Sequence, residues 1–280
     1  MDGAGHWTSR LIIALSCVIF VACQPPIAAW GAVTGGVGCD ESSGGLCFSD
    51  GCRCQFTLSI DGKITAATMD EVRNLLVDRR KNWQKIVGVR YEINSPGGSV
   101  SAAIAIGRMF RTEKISLLVD DNCVSACVLI LAGAVERLIA TSARVGIHRP
   151  YLETTPQQNL APEQVKNTYS GMLQAMRAYL KEMNVSERLA DDTLKTEPEA
   201  IHFLSAEELN TYGLLGIDPE EQQRRAIEKE TQDIQAANRL GLDRTEYIRR
   251  KVLGDSVCGS AANYLEYVKC KDSVLKTGRR

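Results

Sequence analysis

Polar and apolar residues change their rhythm several times along this chain. QFTLSIDGKI, from Gln55, alternates and closes on Asp61-Gly62, the pattern of a half-buried strand entering a turn. TAATMDEVRNLLVDRR then places Met69, Val72, Leu75 and Leu76 on one helical face. IVGVRYEIN reads as a strand ending at SPGG, and SVSAAIAIGRMFR as the helix behind it. ISLLVD is a further strand that runs into NCVSACVLILAGA, an apolar run at whose head a buried helix begins. RLIA and ARVGIH read as short strands separated by Thr141-Ser142. A loop from Pro150 to Pro162 leads into a long helix over 163–183, with Val165, Tyr169, Met172, Leu173, Met176 and Leu180 at helical spacing. SERLADDTLK is a shorter helix capped by Ser186. SAEELNTYG carries a Ser205/Glu208 capping box and a Gly213 stop, and GLLGID follows as a last strand or turn. Apolar strands alternating with helices predict an α/β fold of parallel β/α units.

Both ends depart from this pattern. LIIALSCVIFVAC, from Leu11 to Cys23, is uncharged and follows Arg10. About thirteen apolar residues match a signal-peptide core and fall short of a membrane span of about twenty. Cleavage after Ala29, lipidation at Cys23 and an uncleaved anchor are the three options. Each predicts an exported chain, periplasmic or tethered to the membrane on its periplasmic side. Residues 1–29 are therefore a signal peptide or anchor, and 30–54, rich in Gly, Ser and Cys, read as a disulfide-pinned linker. Residues 55–218 form the β/α domain. From Pro219 the charged sequence PEEQQRRAIEKETQDIQAANRLG opens a helical extension to residue 280, an element for packing or assembly.

Charge and cysteines narrow the function. The formal net charge is −1, with no long basic run, which argues against nucleic-acid binding. Ten cysteines are present. Setting aside Cys17 and Cys23 leaves an even set: Cys39, Cys47, Cys52, Cys54, Cys123, Cys127, Cys258 and Cys270. In an exported chain this points to disulfides, with Cys123–Cys127 and Cys258–Cys270 as local candidates. The first four lack the paired C-x₂-C knuckles of a zinc site, so no metal and no cofactor is expected.

The chemistry gathers at three segments. INSPGGSVSAA places Gly97 and Gly98 between a strand and a helix, where a diglycine lets the backbone approach a ligand. Ser125 lies at the head of the small-residue run, and VGIHRP places His148 at the end of a strand. Carboxyl ends of parallel strands are where ligands gather. Serine needs a base to take its proton, His is the usual one, and backbone N–H groups must meet the oxyanion. Those of Gly98 and Ala126 are the natural pair. His202 reads as structural, and Arg149-Pro150 as the turn out of the strand.

SPGG, then Ser125 in its Cys-flanked run, then IHRP, then FLSAEELNTYGLLG, resembles the Clp protease proteolytic subunit in matching order over about 55–218. The resemblance implies a Clp/crotonase-like stack of β-α-β units in a superhelix. It implies Ser125 as nucleophile, His148 as base, and Gly98 and Ala126 as oxyanion donors. It further implies a serine peptidase acting on a peptide or protein substrate through an acyl-enzyme, in a homo-oligomer. The family's acid stands two residues before the Phe of FLSA, and here that position is Ile201. Glu199 is the candidate acid nearby, with Glu197, Asp191 and Asp192 as others. Export removes the ATP supply, so no ATPase partner is expected. A Cys123–Cys127 bridge would rigidify the serine turn. Two alternatives stand beside the peptidase: a binding or scaffold protein that keeps the fold without the triad, and a crotonase-like enzyme that stabilises the enolate of a CoA ester.

Overall fold

The structure, a computed structural model, describes residues 32–39, 54–151 and 161–279. Its centre is a run of parallel strands, β2 (Cys54–Asp61), β3 (Ile86–Ser95), β4 (Ser116–Val124) and β5 (Glu136–Ile139), in that spatial order. The alternation read in QFTLSID is the reason for β2: Phe56, Leu58 and Ile60 are buried and their neighbours are not. Each such side chain contributes roughly 1.5–3 kcal/mol on burial. α1 (Ala66–Asn82) buries Val72 and Leu76 as its periodicity predicts, and Thr65 caps it with a reciprocal bond to Thr68. α2 (Val100–Thr112), capped by Ser99, buries Ala103, Ile106 and Phe110.

β4 changes partner along its length. Its first half, Ser116–Val119, pairs with β5, and its last residues, Asn122–Val124, pair in parallel with β6 (Arg144–Ile147). The sheet therefore divides at β4, and β6 carries its chain end alongside the end of β4. α3 (Cys127–Gly133) fills the space beside the division, with all seven residues buried. α4 (Pro162–Glu182) bonds to it where Tyr179 Oη donates to Leu129 O, α5 (Arg188–Lys195) and α6 (Ala206–Tyr212) follow, and β7 (His202–Phe203) pairs antiparallel with β6. β8 (Gly216–Ile217) closes on β5, and α7 (Pro219–Arg239), α8 (Arg244–Cys258) and α9 (Tyr264–Thr277) follow. Among the described residues no helix is long and apolar enough to cross a membrane, and the Leu11–Cys23 segment lies outside them.

Three expectations change. Part of the predicted linker is a strand: β1 (Ala32–Cys39) runs antiparallel to β2 and is tied to it by a Cys39–Cys54 disulfide. Val33 and Val37 pack on the core, and Gly35 between them is needed because a Cβ there would lie 2.2 Å from Thr57 O. Cys47 and Cys52 lie outside the described residues. Ser186 does not cap α5 with its side chain; its backbone carbonyl accepts from Leu189 N–H, and Glu187 precedes the helix. Cys123 is not helical but ends β4, and the Cys123–Cys127 disulfide joins that strand to the first residue of α3. The Cys258–Cys270 disulfide links α8 to α9.

A buried ionic cluster ties the far side of the sheet to the C-terminal helices. Arg137 on β5 donates to the carbonyls of Ala132, Met183 and Gly213 and to Asp218. Arg111 of α2 reaches the same carboxylate at 2.9 Å. Asp218 in turn accepts from Glu220 and Glu221 N–H, capping α7. Burial lowers the Arg137 pKa to about 10. Burial alone would raise that of Asp218, but the hydrogen bond and charge of Arg111 and the other donors together hold it below its ordinary value. Asp218→Ala, which leaves two guanidinium groups without their counterion, is expected to cost about 3–5 kcal/mol in urea unfolding. Because the folded carboxylate has the lower pKa, its contribution is full above about pH 4. It is lost as the pH falls through the folded value, so the wild type should lose stability in acid more steeply than the variant. Among the disulfides, loop-closure entropy ranks Cys258–Cys270 at about 3 kcal/mol and the shorter Cys123–Cys127 loop at about 2. Paired Cys→Ala variants measured in urea should follow that order.

Candidate functional site

The residues singled out in the sequence come from four elements whose ends meet. Ser125 occupies the turn between β4 and α3 with φ 59°, a left-handed conformation that costs a residue with a Cβ about 1–2 kcal/mol. Its N–H donates to Gly146 O on β6 at 2.9 Å, and its carbonyl accepts from Val128 N–H at 3.1 Å. The Cys123–Cys127 disulfide spans the turn, with Cα atoms 5.2 Å apart. The serine thus sits on a strand–turn–helix corner just ahead of α3, at the helix head where the sequence places it. Local propensity gives no sign of this, because Ser has no preference for positive φ.

The SPGG segment leans on that corner. Gly97, at φ 100°, has no room for a side chain: a Cβ would lie 2.7 Å from Ser125 Cβ and 3.0 Å from Ala126 N. Ser95 holds the segment from the other side, donating its hydroxyl to Gly62 O and accepting from Gly97 N–H. Gly98 forms a parallel bridge with Ile64, where a Cβ would lie 2.2 Å from Ile64 O. Among the described residues, no protein acceptor takes the N–H of Gly98 or of Ala126. These are the two groups named as oxyanion donors, and both remain available to a ligand.

His148 follows the last residue of β6, and the parallel register that pairs Val124 with Gly146 carries it toward Ser125. Both line one narrow cleft, whose other walls are mainly apolar and include Val100, Leu129, Met176 and Leu180. The Tyr151 ring stacks on His148 at a centroid separation of 6.2 Å. His148 Nδ1 lies 3.0 Å from Arg149 O.

The structure does not bring the candidate acid to the histidine. Glu199 is exposed. Glu197 pairs with Arg149, Asp191 with Arg177, and Asp192 with Lys195 and Tyr212. His202 pairs with Glu208 at the surface. The β6–β7 register places Gly146 opposite Phe203 and Ile147 opposite His202, and His148 and Ile201 are the next residues beyond that pairing. Sequence reading missed the Arg149 carbonyl as the partner of the histidine. The one available signal was Pro150, which keeps the preceding residue extended and so fixes where its carbonyl points. Gly97→Ala, which both collides with the Ser125 turn and forces a side chain to positive φ, should lower unfolding stability by about 2–4 kcal/mol in a denaturant titration.

A model of the Clp protease family matches residues 55–218. Among curated proteins, the ATP-dependent Clp protease proteolytic subunit 3 of Parasynechococcus marenigrum is 29% identical over 127 residues, covering 44% of this chain and 62% of that protein. The ATP-dependent Clp protease proteolytic subunit of Cyanophora paradoxa is 26% identical over 157 residues, covering 52% of this chain and 77% of that one. The proteolytic subunit 2 of Streptomyces coelicolor is 31% identical over 128 residues, covering 44% and 57%. The match thus spans under two thirds of the length of the first and third of these relatives. A solved structure of a ClpP1 mutant from Listeria monocytogenes is 21% identical, covers 57% of this chain and 88% of that one, and gives a TM-score of 0.45. With more than half of the sequence matched in one continuous span, the chain belongs to the Clp protease family.

Proposed function

We propose that this protein is a serine peptidase that cleaves peptide or protein substrates by an acyl-enzyme route. The observation that carries the reading is the convergence of Ser125, on a left-handed corner packed against Gly97, with His148 in one cleft. Ser125 Oγ attacks the scissile carbonyl while His148 Nε2 takes its proton. The N–H groups of Gly98 and Ala126 receive the oxyanion, a contribution of about 3 kcal/mol for each such donor. His148 then protonates the departing amine, and water releases the acyl group by the same steps in reverse. The apolar cleft walls suit an uncharged side chain next to the scissile bond.

The relatives are proteolytic subunits, which supports the peptide substrate and an assembly of several copies of this chain. We place the protein outside the cytoplasm, in the periplasm or tethered there by its N-terminal apolar segment. Disulfides at the core of the domain and between its last helices fit an oxidising compartment. There it acts without an ATPase partner. The alternative, a scaffold that keeps the fold without catalysis, is favoured by one observation: among the described residues, His148 Nδ1 meets a backbone carbonyl and no carboxylate.

A fluorophosphonate probe separates the two. The peptidase reading expects covalent labelling of the folded wild type, none in Ser125→Ala, and labelling slowed at least about a hundredfold in His148→Ala. Folded wild-type protein that stays unlabelled, with both variants keeping the biological activity, establishes the scaffold.

A further inference from the structure

His148 has an acceptor at Nδ1, and that acceptor is a backbone carbonyl. A carbonyl oxygen has no proton to give, so at 3.0 Å Nδ1 carries the hydrogen of this bond, and in the neutral imidazole Nε2 then keeps its lone pair. In a serine triad the carboxylate has two tasks: it fixes this tautomer and ring orientation, and it stabilises the imidazolium that forms. The Arg149 carbonyl performs the first and brings only a dipole to the second.

Such an acceptor is useful only if it is held still, and Arg149 is held by both its backbone and its side chain. Its N–H donates to Thr196 O at 2.9 Å. Its Nε donates to Leu194 O at 3.0 Å, and Nη2 pairs with the Glu197 carboxylate at 2.9 Å. All three partners belong to the segment that ends α5 and leads to β7. Pro150, buried behind it, confines Arg149 to extended conformations. The guanidinium is spent on this clamp, and Glu197 is spent with it, which removes one of the candidate acids.

The geometry points to Arg149 as a positioning residue for the base. Its clamped carbonyl occupies the place at His148 Nδ1 where a carboxylate would stand, and Leu194, Thr196 and Glu197 anchor it. This rests on the acyl-enzyme reading of Ser125 and His148. The register supplies an internal check. Ile201 and His148 are the next residues beyond the Ile147–His202 pair, and Ile201 Cγ2 lies 2.6 Å from where a Gly146 Cβ would be, which puts it on the face of β6 that Gly146 occupies. An aspartate at 201 offers the same ring nitrogen a second acceptor.

The test measures fluorophosphonate inactivation of the full chain, separating the maximal rate from the half-saturating concentration. Arg149→Met is expected to lower the maximal rate by about tenfold or more with the half-saturating concentration little changed. Ile201→Asp in the Arg149→Met background is expected to restore it, because a carboxylate can replace the carbonyl. Rescue of this kind does not follow from a merely structural role. If Arg149→Met fails to fold, Glu197→Gln at its exposed position loosens the same clamp and must show a smaller loss relieved by Ile201→Asp. Wild-type rates in both clamp variants, or a loss that Ile201→Asp does not relieve in folded protein, overturn the inference while leaving Ser125 as nucleophile. Wild-type protein that does not react at all overturns both.

Discussion

No side chain fits between residue 97 and the turn that carries Ser125, and the arrangement of the site depends on that closeness. The distances around Gly97 bring the end of β3 against the end of β4, and the positive φ at both residues is what the contact requires. Gly97 takes its positive φ without steric cost, whereas Ser125 is held in an unfavourable conformation by what surrounds it, at a cost of about 1–2 kcal/mol. Ser95 ties SPGG to Gly62, β6 takes the Ser125 N–H through Gly146, and the Cys123–Cys127 disulfide closes the corner covalently. Each restraint acts from a different element, so relaxation of the serine requires several to fail together.

The change of partner along β4 explains how the base reaches this corner. If β4 paired with β5 along its whole length, the strand leading to His148 would have no place beside Val124. Ending the β5 pairing at Val119 frees the last residues of β4 for β6, and the histidine is delivered by register. The buried cluster of Arg111, Arg137 and Asp218 stabilises the opposite end of the same strands. It joins α2, the end of α3, β5, the loop after α4 and the cap of α7 through one carboxylate and a set of carbonyls. The C-terminal helices are therefore anchored where the catalytic candidates are not. Lys251 with Asp233 and the Cys258–Cys270 disulfide continue that anchoring outward.

Much of the fold was legible because its signals are local. The alternation of β2, the face of α1, and the Ser205/Glu208 box with its Gly213 stop all act within a few residues, and each stands where it was read. β1 was not legible, because its reason for being a strand lies in the edge of β2 and in a carbonyl that Gly35 must avoid. The strand end at Cys123 was misread as helix for a similar reason. An apolar run suits a buried strand end as well as a buried helix, and the disulfide that joins the two is a tertiary fact. Among the site residues, Ser125, His148, Gly97 and Gly98 were visible as side-chain types and glycines in sequence. The partner of His148 was invisible because it is a main-chain oxygen, which every residue carries.

A neutral orienter sets the energetic character of the site. When a histidine base loses its carboxylate and is left in the wrong tautomer, catalysis falls by about four orders of magnitude. Here the tautomer is kept, so that part of the loss is avoided. What is missing is the charge opposite the imidazolium at the moment of proton transfer. Its weight depends on dielectric: two unit charges at 4 Å interact by about 1 kcal/mol in water and about 4 at an effective constant of 20. His148 is half-buried at the mouth of an apolar cleft, and an occupied cleft is drier than an empty one. The penalty for using a carbonyl therefore grows as substrate excludes water. On the proposed acyl-enzyme reading, a site built this way favours substrates that bind without sealing the cleft.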